Sequence, residues 1–276
     1  MLITDLALAD IRTHIASHEP ERGGALFGPK NQNFVTHFEY DLDGETSAVS
    51  YLPSRTLINN VKTVEIETGL KLKGIVHSHP RGFARPSQGD IQTVQSFFRL
   101  NPHLSKMELP IVQQIGSDAP AGTSDFINWF NAERGYEVTM SSDMAYSRHH
   151  RAPQINIVND DLFVIPLLKD VNQLATSLGS HRLIVRVDTK VQHLRIQNAS
   201  LIGLVAKCDN SQDFMFFVGM DYPIIAPLVL FQAKGQTFQL EFKWNGLENR
   251  QHALNNISDA LKYQLLKDAK TSGSAD

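Results

Sequence analysis

His77-Ser78-His79-Pro80, continued through Arg81-Gly82-Phe83-Ala84-Arg85-Pro86 to Ser87-Gln88-Gly89-Asp90, is the stretch from which the rest of the chain is read. The apolar pair Ile75-Val76 precedes it and predicts a strand. Positions i and i+2 of a strand point to one face, so both imidazoles can reach one ion. Pro80 has no N–H and is expected to end the ladder. Ser87 stands three residues before Asp90, ahead of the periodic apolar positions Ile91, Val94, Phe97 and Phe98. That is a helix N-cap with an acid at N3, a capping-box variant. In the first helical turn, Asp90 can turn its carboxylate back to the strand end. Two imidazoles and one carboxylate suit Zn²⁺ with a fourth position left for water. H-x-H and Ser-x-x-Asp are each common without a metal, and their combination with Pro80 and Pro86 is what makes them specific.

Bulk properties narrow the class. With 276 residues the chain exceeds one average domain, and two are expected. A hydrophobic fraction of 42% is enough for a core in each. The formal charge of −3 and the absence of long basic runs argue against nucleic acid as a partner. The densest basic cluster, Arg148-His149-His150-Arg151, is short, and its adjacent histidines read as surface residues. One cysteine, Cys208, excludes an intrachain disulfide, and it reads as a buried apolar residue. Residues 1–21 do not have the layout of a signal peptide. The longest apolar stretch, Tyr222 to Phe231, is short and broken by prolines, so no membrane span is expected. These features fit a reducing, cytoplasmic setting.

Taken in order, residues Leu2 to Ser17 predict a helix ending before Pro20. Strands are expected at Ala25 to Gly28, and at Asn33 to Tyr40 and Thr46 to Leu52 around Asp43-Gly44. Ser54 caps a helix to Thr68 with Leu57, Ile58, Val61 and Val64 facing the core, and Gly69 stops it. The strand Lys73 to His79, the helix from Ser87 to Leu100 and a strand Leu109 to Ile115 follow. Gly116 to Gly135 reads as a loop, with or without a short helix, and Tyr136 to Met140 as a closing strand. Alternating strands and helices predict an α/β first domain over residues 1–150, with the boundary in the polar stretch Ser141 to Pro153. Residues 154–270 predict a smaller α+β domain. It comprises a helix within Leu162 to Leu178, four or five strands between Leu183 and Phe242, and a closing helix from Glu248 to Leu266.

The string H-[ST]-H-P, six residues, S-x-x-D resembles the signature of the JAMM (JAB, MPN-plus) metallopeptidases, matched at His77, Ser78, His79, Pro80, Ser87 and Asp90. That family also has an upstream glutamate in a segment like E-x-G-G-x-L-x-G, which Glu21-Arg22-Gly23-Gly24-Ala25-Leu26-Phe27-Gly28 fits. The resemblance implies a mixed sheet flanked by helices, similar to cytidine deaminases. It implies one Zn²⁺ on His77, His79 and Asp90, Glu21 as general base, and Ser87 as a donor to the oxyanion, a role that competes with capping. The implied activity is cleavage after the C-terminal glycine of a ubiquitin-like modifier, in isopeptides or precursors. The implied partners are that modifier, its conjugates and enzymes of the conjugation pathway.

Two other readings stand beside it. RadC proteins, which are DNA-associated, share the fold and a similar string, but usually carry asparagine at the position of Ser78. Many MPN proteins are metal-free scaffolds, and those typically lose ligands that are all present here. In the second half, Asp221-Tyr222-Pro223-Ile224-Ile225-Ala226-Pro227 is similar to the Y-P-x-x-x-P turn of ubiquitin-conjugating and RWD domains. No cysteine follows that turn, so a domain of this kind would bind without conjugating.

Overall fold

The computed structural model describes residues 1–16, 20–47, 50–101, 104–113, 127–135, 154–179, 185–196, 199–208 and 212–272. The expected strand Tyr136 to Met140, the basic cluster at 148–151 and the polar boundary segment lie outside these residues. Two compact units emerge, one of Met1 with Ala7–Phe163 and one of Leu2–Leu6 with Val164–Asp276.

Among the described residues, the first unit is built on an eight-stranded mixed sheet. Its central strand is Lys71–His79. Gly23–Gly28 pairs with it antiparallel along one edge. Lys106–Glu108 and Ile111–Gln113 pair with it in parallel along the other. A parallel neighbour needs a crossover, and the helix Gln88–Leu100 supplies it. His37–Tyr40, Ile127–Asn128, Phe130–Arg134 and Ile155–Asn159 complete the sheet. Val94 and Phe98 of the crossover helix pack on Ile75, Met107, Ile111 and Phe130. The helix Arg55–Thr68 packs Leu57 against Ala25, Phe27 and Leu70. Its start is fixed by Ser54, whose Oγ accepts the Leu57 N–H at 2.9 Å. Its end is fixed by Gly69, at φ 71°, where a side chain would be strained.

The register against Gly23–Gly28 passes from Leu26↔Gly74 to Phe27↔Leu72, so Lys73 is the extra residue of a β-bulge in the central strand.

Several expectations are corrected. The segment 116–135 is not all loop, because Ile127–Asn128 and Phe130–Arg134 are strands. Phe130 and Ala132 enter the core cluster, a pull that only tertiary packing supplies. Leu2 to Ser17 is not one helix: a strand Leu2–Thr4 precedes the helix Asp5–Ile11, and a π-helical turn Arg12–Ala16 follows. Glu45–Ser47 and Ser50–Leu52 pair with each other as a separate hairpin. Ile58 is half exposed, not core.

The second unit contains the helix Leu167–Gly179, an antiparallel meander and the closing helix Gly246–Ser272. The meander runs Val185–Ile196, Ala199–Cys208, Asp213–Val218, Leu228–Ala233, Gln236–Gln239, each strand beside the next. The first helix begins later than expected because Phe163–Ile165 is a strand and Pro166 follows it. The Asp5 carboxylate accepts the Leu168 and Lys169 N–H groups at 2.9 and 2.8 Å, satisfying donors that a helix N-terminus leaves bare. Tyr222 precedes a cis peptide to Pro223, and its hydroxyl donates to Asp170. Cys208 is buried and is not in a disulfide. Among the described residues no helix is long and apolar enough to cross a membrane.

Candidate metal centre

The central strand ends at His79 because Pro80 cannot extend it. The loop after Pro80 closes through the Phe83 N–H on the Pro80 carbonyl at 3.1 Å. Gly82, at φ 95°, takes the turn a side chain would resist. That turn brings the Phe83 carbonyl to His79 Nδ1 at 3.1 Å. With Nδ1 held by that carbonyl, Nε2 faces the opposite way, towards Asp90.

Ser87 and Asp90 form a reciprocal capping box. Ser87 Oγ accepts the Asp90 N–H at 3.2 Å, and Asp90 Oδ2 accepts the Ser87 N–H at 2.6 Å. The box fixes the carboxylate over the strand end. Asp90 Oδ1 lies 3.0 Å from His77 Nε2, and Oδ2 lies 3.2 Å from His79 Nε2. The two Nε2 atoms are 2.9 Å apart. Three ligand atoms thus converge within 4.8 Å of one another, on two buried imidazoles and a half-buried carboxylate. Burial alone would raise the Asp90 pKa. Hydrogen bonds from His77 and His79 and from the Ser87 N–H instead hold it well below the carboxylate range. Burial disfavours the charged form of His79, but Asp90 and Glu21 raise its pKa overall.

Glu21 reaches the site through strand pairing. The register Gly23↔His77 continues outward, with the Ser78 N–H on the Arg22 carbonyl at 2.8 Å and the Arg22 N–H on Ser78 Oγ at 3.0 Å. Glu21 is the next residue outward, and its carboxyl couples electrostatically to His79 and Asp90. Its side chain is buried, and burial pushes its pKa up to about 7, with His79 opposing and Asp90 adding to the rise. A carboxyl group tuned to that range suits general-base work at neutral pH.

The structure therefore brings together all five residues singled out in the sequence: His77, His79, Asp90, Ser87 and Glu21. The donor set fits a divalent cation that accepts nitrogen and oxygen, Zn²⁺ foremost. Ser87 caps its helix as an acceptor. Its oxygen accepts from Asp90, which leaves the hydroxyl proton free to donate.

One supporting residue was not legible. Tyr51 stacks on His77 with ring centres 6.0 Å apart and planes 22° apart. Its hydroxyl donates to Asp41 Oδ2 at 2.8 Å, and the same carboxylate takes the Ser54 N–H and hydroxyl. Gly23 makes room, since a Cβ there would lie 2.2 Å from the Tyr51 ring. The Gly23-Gly24 pair was the available signal, but nothing in it pointed to Tyr51.

Residues 6–118 match the family profile described as prokaryotic homologs of the JAB domain. Among solved structures, the chain is similar to a Desulfitobacterium hafniense protein determined in solution, at 16% identity and TM-score 0.39, over 60% of this chain and 92% of that one. It is also similar to a JAB1/MPN domain protein from Archaeoglobus fulgidus, at 17% identity and TM-score 0.29, over 60% of this chain and 99% of that one. No curated protein matches the chain.

Proposed function

Residues 6–118 belong to the JAB/MPN domain family, and from that membership together with the ligand geometry we propose that the protein is a zinc-dependent isopeptidase or peptidase. The observation that carries this reading is the convergence of His77, His79 and Asp90 within 4.8 Å, with buried Glu21 two residues before the adjoining strand Gly23–Gly28. Zn²⁺ on those three residues supplies Lewis-acid polarisation of a peptide carbonyl and of water. The chain supplies the rest. Glu21 takes a proton from the attacking water and delivers it to the leaving amine. The Ser87 hydroxyl, held by the Asp90 N–H, donates to the developing oxyanion, a contact worth a few kcal/mol in the transition state. Tyr51 and the Phe83 carbonyl keep the two imidazoles in place.

The substrate in this reading is an extended C-terminal diglycine segment of a ubiquitin-like modifier, joined to a target or to a precursor tail. Such a slim strand can add to a sheet edge where bulkier sequences cannot. The second unit binds the modifier or a conjugation enzyme and does no chemistry. Its sheet edges are the means, and its only cysteine is buried before the Tyr222 turn. The setting is the cytoplasm. The test is elemental analysis of protein purified without chelator, with cleavage assays on a diglycine-linked conjugate. One zinc per chain and cleavage after the diglycine are expected. Replacing both His77 and His79 with alanine should abolish both, and zinc that stays stoichiometric in that variant would sink the reading.

A further inference from the structure

A larger cavity of the first unit lies at the other end of the central strand. Its volume is about 1050 Å³, near the upper end for small-molecule sites, which span roughly 300–1,000 Å³. The helix Arg55–Thr68, the loop after Gly28, the starts of the strands Lys71–His79 and Lys106–Glu108, and the end of the helix Gln88–Leu100 line it, and one side is open to solvent. Five lysines and two glutamates line it. Both glutamates are already engaged. Glu65 accepts from Lys71 Nζ at 2.9 Å and from the Leu72 N–H at 3.0 Å. Glu108 accepts the Trp129 Nε1–H at 2.7 Å and has Lys106 at 3.6 Å. Three lining cations have no carboxylate partner among the described residues: Lys30, Lys62 and Lys73.

Lys73 is the bulged residue, and the bulge aims its ammonium at the cavity wall. There it donates to the Gln32 carbonyl at 2.8 Å and the Lys30 carbonyl at 3.5 Å, with no carboxylate within bonding distance among the described residues. Burial lowers its pKa against the opposing charge of Glu108. A half-buried ammonium held only by neutral carbonyls is stabilised by an incoming anion. The remaining wall is mixed: Asn31, Gln32, Asn33, Asn101 and Ser105 are polar, and an apolar shelf stands beside them. Val61, Phe97 and Leu104 are partly buried there, and Ile58, 50% exposed, turns to the same space. Cations beside an apolar shelf suit a ligand that joins phosphate to a flat ring.

We propose that this cavity binds a nucleotide-class ligand, its phosphates on Lys73, Lys30 and Lys62 and its ring over Ile58, Val61 and Phe97. Lys73 precedes His77 by four residues, about 13 Å at ~3.3 Å per residue, so the site is separate from the metal ligands.

Calorimetric titration of the full chain, metal content as purified, tests this with ADP, inorganic pyrophosphate and adenosine. ADP is expected to bind at least about tenfold more tightly than either fragment, because each fragment reaches only half of the site. Lys30 and Lys62 are exposed, so the double variant Lys30→Glu/Lys62→Glu keeps the fold and should weaken ADP at least about tenfold. Lys73→Met keeps the stem, removes the ammonium and should do the same. No heat with ADP overturns the proposal, as does unchanged affinity in the double variant. Loss of binding after dialysis against chelator would place the nucleotide on the metal and also overturn it. A hexaglutamate peptide binding as tightly as ADP would assign the groove to an acidic protein segment instead.

Discussion

At the scale of single residues, Glu21 and Gly23 show how differently two neighbours contribute. Glu21 offers a proton acceptor and is not one of the three converging ligand residues. Glu21→Gln is therefore expected to keep zinc at full stoichiometry while kcat falls about 10²–10⁴-fold, the usual worth of a positioned base. Equal loss of zinc and rate in that variant would show that Glu21 supports the fold and not the chemistry. Gly23 works by what it lacks. Alanine there would drive a Cβ into the Tyr51 ring, which Asp41 holds from behind. Overpacking of this kind costs about 1–3 kcal/mol. Gly23→Ala should lower the melting temperature and speed zinc release to a competing chelator, because Tyr51 would leave His77. Gly89→Ala is the control, since its Cβ meets only Ser87 Oγ at 3.5 Å, and it should retain zinc like the parent.

Elements were legible where their own ends or periodicity declared them. Ser54 and Gly69 mark both ends of the helix Arg55–Thr68, and the ligand set lies in one short run from His77 to Asp90. The strand Phe130–Arg134 was not legible, because only Phe130 and Ala132 carry apolar alternation and their burial comes from distant partners. Ile58 has the right helical phase for the core but faces a cavity, and periodicity cannot report where a neighbour is missing. Glu21 came from the order of a family motif, and the bonds between Arg22 and Ser78 explain how the residue before Arg22 comes near His79. The strand Lys106–Glu108 carries an electrostatic consequence of its own. Glu108 is 3% exposed, and burial raises its pKa above the usual value despite the Trp129 hydrogen bond and Lys106. A raised carboxyl pKa gives stability that is present below the unfolded value and lost as pH rises through the folded one. Glu108→Gln keeps an acceptor for Trp129 and removes that loss. The variant should gain stability relative to the parent as pH rises above the ordinary carboxylate range, read by denaturant midpoints at each pH. A difference that stays flat across that range would mean that burial does not raise the Glu108 pKa in the fold.

On the scale of the whole molecule, the chain's start and its second half are one folding problem. Leu2–Leu6 is grouped with Val164–Asp276, and the Asp5 carboxylate caps a helix that begins at Leu167. The first unit in turn extends past residue 153, since Ile155–Asn159 pairs with Phe130–Arg134 over five positions. A cut at residue 153 would therefore strip an edge strand from the metal-bearing sheet, and a cut after 163 would not. The fragment 1–163 should hold zinc and cleave a short diglycine-linked peptide, while 1–153 should melt at lower temperature. Asp5 gives the sharper test, because its removal touches the second unit without touching a ligand. Asp5→Ala leaves two donors of the helix N-terminus bare, a loss of about 1 kcal/mol for a cap of this kind. Asp5→Asn retains one acceptor and should recover part of it. Hydrogen exchange at the Leu168 and Lys169 amides reports the loss directly: both should exchange faster in Asp5→Ala, with zinc content and peptide cleavage unchanged. Unchanged protection at both amides would mean that the cap contributes nothing to the second unit's stability.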